Sequence, residues 1–122
     1  MKAKIVDLLN SNPILNNLFS QKLNGAVAFK LSQIIQESSY KLKNFESVRE
    51  KLITDNNGVW NEEESKYKFE NPEDEAKVSK EFDELIMDEV EVPARFLTLD
   101  DLEKIPEVSP EEMRILSWAV EK

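Results

Sequence analysis

The chain has 122 residues, 40% of them hydrophobic and 34% charged, with no cysteine, no histidine, two glycines and a net charge of −9. That length suits one domain with a modest core, and the composition excludes disulfides, thiolate and imidazole chemistry and the usual glycine-built phosphate loop. No apolar run nears the roughly eighteen residues that a membrane span needs.

The amino terminus reaches Asp7 after only two apolar residues, too few for a signal-peptide core, so a cytoplasmic protein is expected. Charge is unevenly spread: residues 1–60 hold eight Lys or Arg and five Asp or Glu (+3), residues 61–122 eight and twenty (−12). The two halves attract each other. An acidic surface aimed at a basic partner gives such a pattern, but a solvated helix face is the commoner cause.

Residues 1–24 are expected to form a short helical segment. Ile5, Val6, Leu8 and Leu9 make an apolar patch that fits a brief helix or a strand, ended by the polar run Asn10-Ser11-Asn12. Asn12-Pro13 then predicts a helix start, with Asn as cap and Pro at the first helical position. Asn24-Gly25 predicts a break.

Residues 26–54 predict one long amphipathic helix. Its stripe is Val27, Leu31, Ile34, Ser38, Leu42, Phe45, Val48 and Leu52, seven steps over 25 positions, which is the helical period. Phe29 and Ile35 lie beside the stripe, so its first half is expected to be the more deeply buried. At 1.5 Å per residue the helix would span roughly 43 Å, more than a compact chain of this size is wide. Part of the stripe therefore needs a further partner. Leu42, Phe45, Val48 and Leu52 are the candidate interaction residues, and a two-fold homodimer is the default assembly.

Asp55-Asn56-Asn57-Gly58 predicts the helix end; it is not a calcium loop, since Ile53 stands where the first aspartate would be. Residues 59–69 predict a small β-hairpin, Val59-Trp60 paired with Lys66-Tyr67-Lys68-Phe69 around the acidic tip Glu62-Glu63-Glu64. Residues 72–122 form an acidic helical and extended part. Asn71-Pro72 opens a helix through about Asp88, with Val78, Phe82, Leu85 and Ile86 on its apolar side and Glu73–Lys77 and Lys80–Glu84 as supporting pairs. Val90-Glu91-Val92 and Phe96-Leu97 suggest an edge strand interrupted by Pro93. Thr98 to Asp101 and Ser109 to Glu112 resemble capping boxes opening two terminal helices, the last carrying Met113, Leu116, Trp118 and Val120. The fold class is α+β and helix-dominated, with the long helix packed by shorter helices and the hairpin.

The succession Phe45-Glu46-Ser47-Val48-Arg49, Tyr67-Lys68-Phe69, Glu81-Phe82-Asp83-Glu84-Leu85, Glu89-Val90-Glu91-Val92, Leu99-Asp100-Asp101-Leu102-Glu103 and Ser109-Pro110 resembles a family of small acidic uncharacterised proteins encoded by tailed phages and prophages. The likeness runs from about Lys41 to the end. It implies a phage or prophage setting and supplies no activity, cofactor or active-site residue.

Chemistry gives little to set against that. Glu81, Glu84 and Asp88, three and four apart, imitate hard-cation ligands, yet dinuclear carboxylate helices carry histidines as well, and a solvated face explains them better. Trp60, Tyr67 and Phe69 beside Lys66 and Lys68 imitate a base-stacking platform, but Glu62, Glu63, Glu64 and Glu70 would repel phosphates. No enzyme, cofactor, metal, small-molecule substrate or direct nucleic-acid contact is expected. The leading expectation is an oligomeric phage or prophage protein that binds phage or host proteins, as a virion component or accessory factor. The alternative is an acidic inhibitor that mimics nucleic acid toward a host defence or transcription enzyme, using Glu62, Glu63, Glu64, Glu81, Glu84 and Asp88.

Overall fold

A single long helix, α2 (Gly25–Asp55), is the element the others pack against. The computed structural model describes residues 1–121. Asn24 caps α2, its Oδ1 accepting from the Val27 amide at 2.9 Å, and the 31 residues span roughly 46 Å at 1.5 Å per residue. At the far end Asn57, with φ of 65°, takes the left-handed turn. The architecture is α+β and helix-dominated: two small antiparallel sheets of two strands each accompany the helices. No helix of the described residues is long and apolar enough to cross a membrane.

The amino-terminal segment differs from the expectation in two ways. Lys2–Lys4 form an unforeseen strand, β1. Helix α1 then runs Ile5–Phe19 without a break and takes Pro13 into its interior. An interior proline costs about 3 kcal/mol. The stripe Ile5, Leu8, Ser11, Leu15 and Leu18 is buried along the whole helix, and full burial of an aliphatic side chain contributes about 1.5 to 3 kcal/mol, so four of them outweigh one proline. Ser11 keeps the stripe continuous by satisfying itself: its hydroxyl donates to the Asp7 carbonyl at 2.5 Å and accepts from Trp118 Nε1 at 2.7 Å.

The start of α1 is closed from a distance. Ile5 N–H donates to the Asp88 carbonyl at 3.0 Å and Val6 N–H to that of Ile86 at 2.8 Å, while Lys4 N–H donates to Asp7 Oδ2. β1 pairs antiparallel with β4 (Glu89–Glu91), setting Lys2 opposite Glu91 and Lys4 opposite Glu89. The Met1 ammonium lies 3.1 Å from Glu91 and donates to the Val92 carbonyl.

Between α2 and β4 come the hairpin, β2 (Val59–Asn61) with β3 (Lys66–Lys68), and helix α3 (Pro72–Leu85). The hairpin lies where the sequence put it, with Trp60 opposite Tyr67. Helix α3 ends at Leu85, not Asp88, because the amides of Met87 and Asp88 tighten onto the carbonyls of Glu84 and Leu85 before the chain turns into β4. Neither expected pair, Glu73–Lys77 or Lys80–Glu84, is among the ion pairs of the described residues.

The carboxyl-terminal segment covers one end of the α1–α2 pair. Two short helices, α4 (Leu99–Glu103) and α5 (Pro110–Ile115), both open with the expected capping boxes. Leu97, Leu102, Ile105, Leu116 and Ala119 bury against Leu15, Leu18, Val27, Leu31 and Ile34. Leu97 and Val120 form an isolated parallel bridge. Gln21 clamps Glu107 through both its amide atoms, at 2.7 and 2.8 Å. The buried carboxylate of Asp101 accepts from Lys30 Nζ at 2.7 Å and from the Thr98 amide at 2.9 Å. Burial pushes its pKa up, but the Lys30 and Thr98 hydrogen bonds outweigh that and hold it below the usual 3.8.

Two buried serines give opposite expectations. Ser38 Oγ is buried with no hydrogen-bond partner, so Ser38→Ala should raise stability by about 1 kcal/mol in urea unfolding; Ser11→Ala should lower it by about 1 to 2 kcal/mol by orphaning the Trp118 indole N–H. Because Asp101 has a depressed folded pKa, its contribution is present above the unfolded value and lost as pH falls below about 3.8. Urea midpoints should therefore fall more steeply below about pH 4 for the native chain than for Asp101→Asn.

Candidate protein-interaction surface

The core is concentrated at one end of α2. Val27, Leu31, Ile34 and Ser38 are almost wholly inaccessible, whereas beyond Ser38 only Phe45 and Ile53 are buried. The cause is the placement of the carboxyl-terminal part, whose hydrogen bonds reach Ser11 on α1, Gln21 in the turn, and only Lys30 and Gln33 on α2. Phe29, expected to be covered, is 58% exposed, with the Arg95 guanidinium 5.7 Å over its ring. The distal half of α2 is left to α3 and the hairpin. Helix α3 buries none of its residues; Val78, Phe82 and Leu85 reach only half-burial.

The four candidate residues on α2 separate into two pairs. Phe45 is 5% exposed, its ring 5.7 Å from that of Phe82, and it packs with Ala3, Ile5, Leu8 and Val92. Leu42 is half-buried against the same cluster. Both serve the chain's own core, contrary to the sequence expectation, because β1, β4 and α3 supply the cover that a second molecule was expected to give. Val48 remains 49% exposed, and Leu52 is half-buried in the wall of a cleft. Beyond Phe45 the covered line follows the 3.6 period to Arg49 and Ile53 instead of Val48 and Leu52. Helix α3 lies on that side, with the Arg49 guanidinium 6.0 Å over the Phe82 ring.

The cleft has a volume of about 350 Å³ and lies between α2, the hairpin and α3. Leu52, Ile53, Trp60, Tyr67, Phe69, Val78 and Phe82 make it apolar; Arg49, Lys66 and Glu75 mark its rim. Trp60 and Tyr67 meet edge to face across the hairpin, with ring centroids 5.1 Å apart. Gly58 sets the approach of the hairpin to α2. A Cβ there would run into Ile53 Cγ2 and stand 2.9 Å from Phe69 Cε1, so close approach, not unusual backbone, requires glycine. Trp60 is 49% and Val59 68% exposed. Sequence reasoning passed over Val59 and Arg49 as surface features and weighed Trp60 only as part of a stacking platform; the signal was that a hairpin of three-residue strands has two faces and α2 can cover only one.

The acidic candidates do not converge. Glu62, Glu63 and Glu64 are exposed at the hairpin tip, where the Glu64 amide donates to Asn61 Oδ1 and its carboxylate lies 2.7 Å from Lys68 and 3.6 Å from Lys66. Glu81 is half-buried and Glu84 exposed on α3, while Asp88 lies past the end of that helix and shares no face with them. Among the described residues no group of three or more carboxylates could hold a metal ion. A second groove, of about 970 Å³, runs past Lys2, Asp7, Arg114, Trp118 and Glu121. Its charges of both signs are largely engaged, Asp7 by the Lys4 amide and Arg114 by Glu111.

The two pairs on α2 should respond differently to substitution. Phe45→Ala should cost about 3 to 5 kcal/mol of folding stability, as for a buried aromatic. Val48→Asp, melted at protein concentrations low enough to keep the chain monomeric, should stay within about 0.5 kcal/mol, as at an exposed site. Thermal melts followed by circular dichroism check both.

No family model, curated protein or solved structure matches the chain.

Proposed function

We propose that this protein is a non-enzymatic, self-associating protein-binding factor of phage or prophage origin, working in the bacterial cytoplasm or within the virion. The observation that carries the reading is the distal half: an open apolar cleft walled by Leu52, Trp60, Tyr67 and Phe82, with Val48 and Val59 exposed outside it. An open apolar groove and further exposed apolar side chains, on a chain 34% charged, fit a surface kept for a protein partner. The absence of histidine and cysteine from the sequence supports a role without catalysis.

The alternative, an acidic mimic of nucleic acid, is the weaker reading. Such a surface needs bare carboxylates in an array, and Glu64 at the hairpin tip is shared between two lysines. Reversing Glu62, Glu63 and Glu64 to lysine tests the point. The triple variant should fold and assemble like the native chain; loss of partner binding, together with its salt dependence, would favour the mimic instead.

Self-association is tested by light scattering. A dimer is expected at about 50 µM, well above typical obligate dissociation constants, and a monomer at that concentration would remove self-association from the reading. Cosedimentation with purified virions then separates a virion component from an accessory factor.

A further inference from the structure

We infer that two copies of this chain pair through the distal half of α2, the helices antiparallel about a two-fold axis at Val48. This rests on the self-association proposed above and adds its geometry. Lys41, Val48 and Asp55 recur at seven-residue spacing, which on a straight helix keeps them near one line, drifting about 20° per heptad. Val48 is 49% exposed. Lys41 enters none of the ion pairs of the described residues. Asp55 is exposed, held only by Lys51 one turn back at 2.5 Å.

A two-fold interface must be complementary to itself, and this line is. In an antiparallel pair, positions equally far before and after the axis face each other. Lys41 then meets Asp55 of the second copy, Asp55 meets the second copy's Lys41, Val48 meets its own counterpart, and Asn44 lies against Leu52. A parallel pair would set lysine on lysine and aspartate on aspartate. Charge therefore selects the antiparallel arrangement. The same geometry brings the exposed Tyr40 of one copy to the end of the pair where the other copy carries Val59 and Trp60.

The chain has no cysteine, so a single introduced thiol can form a disulfide only between copies. Air oxidation of Val48→Cys should give a covalent dimer. Glu50→Cys, two residues on and about 200° round the helix, should not. Lys41→Asp should raise the dimer dissociation constant about tenfold or more by placing two like-charged pairs in the seam, and Lys41→Asp combined with Asp55→Lys should bring it back to within about threefold of the native value. Circular dichroism establishes that each variant is folded. A native chain that is monomeric at about 50 µM would overturn both the pairing and the proposed self-association. A native dimer whose Val48→Cys form stays uncrosslinked, with Lys41→Asp without effect, would overturn this pairing alone.

Discussion

Two backbone amides at the start of α1 find their acceptors at the far end of α3, and the arrangement of the rest depends on that closure. A helix begins with donors that have no partner inside it and ends with acceptors in the same condition. Here the first deficit is met by carbonyls just past the end of α3, Ile5 and Val6 donating to Asp88 and Ile86. The positive end of one helix thereby meets the negative end of another, which the helix dipoles favour. The contact holds β1 beside β4 and returns α3 along the distal half of α2, so Phe45 acquires Phe82 and Val92 as neighbours. Without it the lower cluster of the core would have one wall.

Charge acts on this frame in two ways of different weight. The lysines of β1 face the glutamates of β4, but exposed pairs contribute little to stability; what they fix is register, since a slip by one residue would turn Ala3 and Val90 outward. Lys30 and Asp101 are different. Both are largely buried, the carboxylate also accepts from the amide that opens α4, and the pair pins the carboxyl-terminal segment onto α2 at one defined point. The surplus of positive charge in the first half of the chain and of negative charge in the second is thus partly spent on holding the two together, the simplest use foreseeable from the sequence.

The long helix, the asparagine cap of α3, the hairpin and both late capping boxes were legible because each is a local pattern: a period, a turn residue, or a polar residue three positions before its acidic partner. What escaped was tertiary. Pro13 reads as a helix start by every local rule, and only the burial of Leu8 and Leu15 on either side of it makes it an interior residue. Lys2-Ala3-Lys4 carries no strand signal without Glu89-Val90-Glu91 opposite. Phe45 and Val48 belong to one stripe in sequence, and the positions of β1, β4 and α3 decide that the first is core and the second surface. The candidate surface was accordingly half legible: the right stretch of helix, with the outward and inward residues not yet told apart.

The closure at the start of α1 also fixes an order of events during synthesis. The α1–α2 pair is local and can form early, whereas the Met1 ammonium reaches Glu91 across a separation of 90 residues, the kind of non-local contact that slows folding. Until α3 and β4 are made, Phe45 lacks Phe82 and Val92, and a nascent chain displays a broader apolar stripe than the finished one. Completion of β4 narrows that stripe, so the apolar face that stays exposed on α2 is defined only when the fold has closed behind it.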